Sequence, residues 1–236
     1  MVLAILAAGE GLRLKAEGIT VPKPLVKVGG VPMIERIIRV GVNNGATALY
    51  CIANEEATAL HEFFSENEFG IPVDLTIRST PSSLHSLFAL APKLRKQPFC
   101  LCTTDTVFRD EEFKRFISYA QNHVDCDGVL AVTQFVDDEN PLCVTINGDH
   151  RITDFSDERS RIGWATGGLY CFSPKVLEVI DDALLSGMSR LRNYLRYLLQ
   201  KGYILKGYPF TKMIDVDHVS DIQKAEEFLA ALKGIH

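Results

Sequence analysis

Val2-Leu3-Ala4-Ile5-Leu6-Ala7-Ala8-Gly9-Glu10-Gly11-Leu12-Arg13, with Pro22-Lys23-Pro24-Leu25 a little further on, is the stretch whose reading decides the fold. The apolar run from Val2 to Leu6 is short and ends in small residues and glycines, which predicts a strand feeding a loop. Glycine at positions 9 and 11 lets the backbone take positive φ. Without a Cβ it can also approach a polyanion closely and aim several N–H groups at it. Arg13 and Lys23 add two fixed positive charges. A Walker A loop would continue into Gly-Lys-Ser/Thr, and a dinucleotide loop would run Gly-x-Gly-x-x-Gly straight into a helix. The chain has neither pattern.

The rest of the chain is compatible with an α/β enzyme. Its 236 residues are 47% hydrophobic, enough for one large α/β domain. A net charge of −5 with a pI near 5.7 gives no general affinity for nucleic acid, so any anion site must be a local cationic pocket. The six cysteines lack zinc-like pairing. Cys100 and Cys102 alternate along an apolar run and are expected to be buried, reduced core thiols. The run Val2 to Ala8 lacks a positive leader and no stretch is long enough to span a bilayer, so no membrane partner and a cytoplasmic location are expected.

Periodicity predicts strands and helices in alternation through the first half, the pattern of a parallel sheet covered on both faces. Strand 2–6 is followed by a helix from Pro32 to Asn43, strand 48–53, a helix from Glu55 to Glu66, strand 73–77, a helix from Ser83 to Leu94 and strand 99–104. The second half reads differently. Segments 128–135, 142–146, 151–155 and 165–172 are strand-like without long helices between them, and Asn147-Gly148-Asp149 marks a hairpin turn. Helices near 174–186 and 189–201, a strand near 203–207, the segment Met213 to Asp217 and a helix from Val219 to Leu232 close the chain. Open parallel sheets bind ligands at the carboxyl ends of their strands, which singles out Asp105 after the run Phe99 to Thr104. A helix cap is the other reading of Asp105, but the next helix begins near Asp110, too far along for it.

Three separated parts agree in order with one family signature: Leu6 to Arg13, Pro22-Lys23-Pro24-Leu25, and Val28-Gly29-Gly30-Val31-Pro32-Met33-Ile34. On these residues the chain resembles the sugar-phosphate nucleotidyltransferases. The resemblance implies a Rossmann-like three-layer α/β nucleotidyltransferase fold with a mainly parallel central sheet and a small, partly antiparallel acceptor lobe. It further implies a single catalytic domain over 1–236, without a C-terminal β-helix domain. The implied partners are a nucleoside triphosphate and a phosphorylated small-molecule acceptor, and the implied cofactor is Mg²⁺. In the reaction it implies, a phosphate oxygen of the acceptor attacks the α-phosphorus of the triphosphate and pyrophosphate leaves. Such a transfer needs positioning and charge neutralisation more than a protein nucleophile.

Carried over residue by residue, the resemblance gives Arg13 and the amides of Gly9 and Gly11 the β- and γ-phosphates, and Lys23 the α-phosphate. Asp105 and Asp215 would hold the metal; magnesium takes only one or two protein carboxylates, so this pair suffices. The residue before Asp105 is Thr104 where the family has glycine. Asp217 shares a side of its strand with Asp215 but is expected to cap the last helix. The base would sit against the backbone of Leu6, Ala7 and Ala8 and against Ser82 and Ser83, whose other reading is as helix N-caps. Ser83-Leu84-His85-Ser86-Leu87 also resembles cytidylyltransferases acting on phosphocholine-like acceptors.

On the acceptor side, Trp164-Ala165-Thr166-Gly167-Gly168-Leu169-Tyr170 resembles the family strand Asn-Ala-Gly-Ile-Tyr, which points to Thr166 and Gly168. The family's Glu-Lys pair is replaced by Asp157-Glu158-Arg159, so Arg159 is the candidate phosphate anchor, or the loop is plain solvated surface. Lys175, Arg190 and Arg192 are the next candidates. Trp164 either stacks on the acceptor or packs into the core. Two other functions compete. A same-fold glycosyltransferase would want an Asp-x-Asp pair where the chain has Asp105-Thr106-Val107, and a non-catalytic nucleotide-binding regulatory subunit has no need of Arg13, Lys23, Asp105 and Asp215 together.

Overall fold

The computed structural model describes residues 1–135, 140–158 and 163–233. In chain order it contains β1 (Val2–Ala7), α1 (Leu12–Ala16), β2 (Lys27–Val28), β3 (Val31–Pro32), α2 (Met33–Asn43), β4 (Ala48–Ala53), α3 (Thr58–Glu66) and β5 (Val73–Ile77). There follow α4 (Ser83–Leu94), β6 (Phe99–Thr103), β7 (Thr106–Val107), α5 (Asp110–Asn122), β8 (Gly128–Thr133), β9 (Cys143–Ile146), β10 (Ile152–Ser156) and β11 (Trp164–Phe172). The last elements are α6 (Ile180–Leu185), α7 (Leu191–Gln200), β12 (Leu205–Phe210), β13 (Ile214–Asp215) and α8 (Val219–Lys233).

β1 lies between β4 and β6, parallel to both, and β5 extends the sheet beyond β4 in the same sense. β11 runs antiparallel to β6 on one edge and to β8 on the other, which makes β8 parallel to β6, and β12 is parallel to β8. These strands are therefore parallel to one another but for β11. Beyond the end of β6, Trp164 and Ala165 pair with Val144 and Cys143 of β9, and β9 carries β10 as a hairpin. That hairpin is the antiparallel part expected of the lobe, and it continues the main sheet rather than forming a separate one.

Alternation along β1 builds two cores at once. Val2, Ala4 and Leu6 face Leu84, Leu87, Leu90 and Leu94 of α4 together with α7, while Leu3, Ile5 and Ala7 face Ile34, Ile37 and Ile38 of α2 together with α5. Each fully buried Leu or Ile contributes about 1.5–3 kcal/mol, an upper range for area removed from water. All six cysteines are buried thiols, five of them in the core on the α2 and α5 face. A third, smaller core lies under the glycine loop, where Leu14, Val26, Val28 and Met33 meet Ile214, Val216 and Phe228. It fastens the C-terminal helix to the N-terminal loop. Among the described residues no helix is long and apolar enough to cross a membrane.

Several boundaries differ from the periodicity. α3 starts at Thr58, not Glu55, because the carbonyl groups of Asn54 hold a turn: its Oδ1 accepts from Glu56 N–H at 2.9 Å and its backbone O from Ala57 N–H at 3.1 Å. The strand expected at 203–207 runs from Leu205 to Phe210, since Gly202 and Tyr203 still donate to Leu199 and Leu198 and finish α7. The helix expected near 174–186 is a 3-10 turn, Pro174–Leu177, and then α6. The short α1 and the β2–β3 hairpin, both beside the glycine loop, carry too few residues to show a period.

Candidate active site

The loop after β1 closes on Lys23. Gly11 has φ +61°, and a Cβ there would lie 2.8 Å from the Lys23 Cβ, so loop and lysine can meet only because position 11 is glycine. Gly9 is not in the positive-φ region, and a Cβ at that position would meet nothing within 4 Å. Its open side is the cleft it lines. Only Gly11 of the two therefore uses the conformational freedom expected of both.

Two adjoining cavities open at the carboxyl ends of the parallel strands. The first, about 610 Å³, is lined by Leu6, Ala8 to Arg13, Lys23, Thr80 to Ser83, Ser86, Thr103 to Asp105 and Asp217. The second, about 470 Å³, is lined by Leu142, Thr166, Gly168, Tyr170, Arg190 to Arg192, Thr106 and Asp215. Pro81, Ser82, Ser83, Thr103 and Asp105 line both. Asp105 thus stands at the junction, with Asp217 on the first side and Asp215 on the second.

Tertiary pairing brings these carboxylates together across more than a hundred residues of sequence. β13 pairs antiparallel with β7, Asp215 opposite Thr106, and Val216 N–H donates to the Asp105 carbonyl at 2.8 Å. Thr106 Oγ1 donates to Asp215 Oδ1 at 2.7 Å and fixes that carboxylate. Lys23 Nζ donates to Asp105 Oδ2 at 3.0 Å and to Asp217 Oδ1 at 2.5 Å, and Arg13 holds the other Asp217 oxygen at 2.5 Å.

This arrangement corrects the expectation that Asp217 caps the last helix. Asp221 takes that role, accepting from the N–H groups of Asp217 and His218 at 3.2 and 2.9 Å, with Glu17 accepting from Val219 N–H at 2.7 Å. Freed from the cap, the Asp217 carboxylate turns to the two cations. The alternation that puts Asp215 and Asp217 on one side of an extended segment was the signal for it.

Burial alone would discharge the Lys23 ammonium, but the charges of Asp105 and Asp217 outweigh it and raise its pKa. Burial likewise pushes the Asp105 carboxyl up. Attraction to Lys23 and a hydrogen bond from Thr103 reverse this and hold it below its usual value. Lys23 and Asp105 are therefore both charged at neutral pH. Among the described residues no three His, Cys, Asp or Glu side chains form a metal cage. A magnesium ion does not need one: the hard oxygens of Asp105 with Asp215 or Asp217, completed by phosphate and water oxygens, are the donor set it takes.

Ser82 and Ser83 make no N-cap bonds to α4. Instead the Ser82 hydroxyl donates to the Ser189 carbonyl, and Ser83 Oγ accepts from Leu191 N–H at 2.9 Å. The two serines clamp the start of α4 to the start of α7 and so bring Arg190 and Arg192 to the second cavity. Thr80 and Ser86, bonded to each other at 2.6 Å, complete the wall of the first. Ala7 is in the core on the α2 face and contributes no side chain to the cleft.

Thr166 and Gly168, the residues expected to meet the acceptor, line the second cavity. They sit at a register shift of β11 between Thr166 and Tyr170, where Gly168 has φ +72° and a Cβ would come within 2.7 Å of Thr106 Oγ1. Trp164 is not there; it packs half-buried against the hydrophobic core. Arg159 lies outside the described residues. Lys175 bonds Asp127 at 3.2 Å and lines neither cavity.

Arg192 donates to Asp157 Oδ1 at 3.1 Å and to the Asn140 carbonyl at 2.8 Å, and Arg196 holds the other Asp157 oxygen at 2.7 Å. Asp157 thereby anchors an arginine fork at the cavity rim, and the hydrogen bond from Arg196 and the charges of both arginines keep its carboxyl pKa low. Arg190 has no acidic partner among the described residues.

With the geometry in place, comparison with known proteins is informative. The nucleotidyl transferase family model matches residues 3–231. A mannose-1-phosphate guanyltransferase of Hypocrea jecorina is 28% identical over 187 residues, covering 75% of this chain and 50% of that protein. One from Kluyveromyces lactis is also 28% identical over 187 residues, covering 75% and 51%. The chain thus spans about half the length of these curated relatives. Among solved structures, the inositol-1-phosphate CTP transferase from T. maritima shares the fold, with a TM-score of 0.83 at 20% identity over 98% of this chain and 95% of that one.

Proposed function

The chain belongs to the nucleotidyl transferase family, and on that footing we propose that it is an enzyme transferring a nucleoside monophosphate from a nucleoside triphosphate to a phosphorylated acceptor of the sugar-1-phosphate type. The observation that carries this reading is the position of Asp105 on the shared wall of two cavities. One of them is lined by the glycine loop, Arg13 and Lys23, the other by Arg190 and Arg192.

The triphosphate takes the first cavity, its base against Leu6, Ala8 and the wall from Thr80 to Ser86. Arg13 and the loop amides hold the pyrophosphate portion, and Lys23 turns from its carboxylates to the α-phosphate as charge grows there. The acceptor takes the second cavity, its phosphate on Arg190 and Arg192 and its hydroxyl groups toward Thr166 and the Gly168 backbone. Asp105, with Asp215 or Asp217, would hold magnesium, which would supply charge neutralisation for the transfer. The protein itself binds and orients both partners, and the pyrophosphate leaves without a covalent enzyme intermediate. Because Trp164 faces the core, a choline-like cation loses the aromatic face that would have held it.

The test is a matrix of the four nucleoside triphosphates against hexose-1-phosphates, hexosamine-1-phosphates, inositol-1-phosphate and phosphocholine, read as pyrophosphate release with and without Mg²⁺. Release that requires one triphosphate and one sugar-type phosphate supports the proposal. Binding of a triphosphate with no turnover across the matrix would favour a regulatory subunit instead.

A further inference from the structure

The main sheet ends on β5, β10 and β12, and these edges are treated differently. The edge at β12 is covered: Arg151 bridges to Lys206, and Gly207 N–H donates to the His150 carbonyl at 2.8 Å. The edge at β5 is bare, since β5 pairs only with β4 among the described residues. We propose that a second copy of this chain covers it, its β5 adding antiparallel so that two sheets join into one across a two-fold axis.

The backbone fixes which residues can pair. Leu49 N–H donates to the Pro72 carbonyl and Arg78 N–H to the Ala53 carbonyl, both at 2.9 Å, so the even-numbered residues of β5 spend their bonds on β4. Val73, Leu75 and Ile77 therefore present both N–H and C=O outward. Proline usually blunts an exposed edge, but Pro72 falls on the inward row and removes no outward donor.

The side chains suit the same pairing. Val73 and Ile77 are 37% and 49% exposed, among the few large apolar residues that are, and they share a face with Leu75, which packs on the core beside Phe63, Phe64 and Phe69. An antiparallel dyad through Leu75 sets Leu75 against its own copy and Val73 against Ile77 of the partner, twice. Every pair on that face is then apolar, and every outward N–H and C=O in the ladder is used.

The opposite face matches in charge. Lys93 Nζ bonds Asp74 Oδ1 and Thr76 Oγ1, each at 2.7 Å, so the acid nearest the dyad is already neutralised. Arg78 is exposed and without an acidic partner among the described residues; in this register it lies diagonal to the partner's Asp74, within reach of a long side chain. A surface that satisfies itself under a two-fold rotation is what a closed, isologous dimer requires.

Sedimentation velocity on the full chain across the micromolar range tests the proposal. The wild type should sediment as a dimer. Val73→Glu alone or Ile77→Lys alone should raise the dissociation constant at least tenfold, while circular dichroism stays unchanged because both positions are surface ones. Carried together, the two substitutions face each other across the dyad with opposite charge and should restore the dimer. Within one chain they sit four residues apart along a strand, about 13 Å, too far to rescue each other. Val124→Glu, at an 89% exposed position elsewhere, should change nothing. Amides of 73, 75 and 77 should gain hydrogen-exchange protection with concentration. A monomeric wild type, a dimer indifferent to both single substitutions, or a double variant no tighter than either single one would overturn the proposal.

Discussion

The glycine-loop half of the cleft takes its residues from the carboxyl ends of neighbouring parallel strands, and each of its first-drawn parts is a short contiguous stretch: Ala8 to Arg13 after β1, Thr80 to Ser83 after β5, Thr103 to Asp105 in and after β6. The other half is assembled from Leu142, Thr166, Gly168, Tyr170 and Arg190 to Arg192, which meet only because β11 reverses direction and shifts register at Gly168 while Ser82 and Ser83 clamp the start of α4 to α7. One half follows from local sequence under the general rule for open sheets. The other follows from where long-range pairing happens to deliver side chains. Under the proposed function, triphosphate binding would rest on local motif and acceptor choice on tertiary placement.

The carboxylate that lines both halves should give the largest effect. Asp105→Asn should reduce turnover on the order of a thousandfold or more with the fold intact, and chelation of magnesium should mimic it. Asp215→Asn and Asp217→Asn, measured side by side as pyrophosphate release at saturating Mg²⁺, show which side completes the metal site. Full activity in Asp215→Asn would remove that residue from it.

Next in size is a change confined to the first half. Lys23→Ala should cost about a hundredfold in kcat, roughly 3 kcal/mol of transition-state stabilisation, and leave the acceptor KM nearly unchanged. It should also alter the pH dependence of stability. Because the Asp105 pKa is lowered in the folded chain, the pair contributes stability above about pH 4, near the carboxyl's unfolded pKa, and loses it as pH falls through the folded value. Removing Lys23 leaves Asp105 without its cation, while Arg13 still holds Asp217. Thermal unfolding should then show a loss of about 1–2 kcal/mol at pH 7 that shrinks toward pH 3, the partial exposure of Asp105 keeping it below the range for fully buried pairs.

The second half is expected to respond in the opposite kinetic constant. Arg190→Ala and Arg192→Ala should each raise the acceptor KM about tenfold, the value of a single charge-assisted hydrogen bond, and spare the triphosphate KM. If the triphosphate KM rises equally, the two cavities do not divide the substrates as proposed. The smallest effect belongs to Trp164→Phe, which trades one core aromatic for another and should leave both KM values within about twofold while lowering stability by about 1 kcal/mol. A large, selective rise in acceptor KM there would put the tryptophan back at the ligand.

The sequence by itself determined the elements and half of the site. Short apolar runs and period-3.6 patterns located β1, α2, β4, β5, α4 and β6 nearly to the residue, because central strands such as β1 and β6 are buried on both faces and the helices bury one stripe. The loop with Arg13, the Lys-Pro-Leu step and Asp105 at a strand's end were likewise contiguous and readable. Tertiary structure decided the rest. Asp217 went to Arg13 and Lys23 because Asp221 and Glu17 already satisfied the helix start it was expected to cap, and Trp164 turned to the core because its strand pairs with β9 and not with the cleft. Ser82 and Ser83 became clamps because α7 lies within reach of them. Each of these choices is a competition among hydrogen-bond partners far apart in sequence, and only sheet order and register determine which partner is close enough to win.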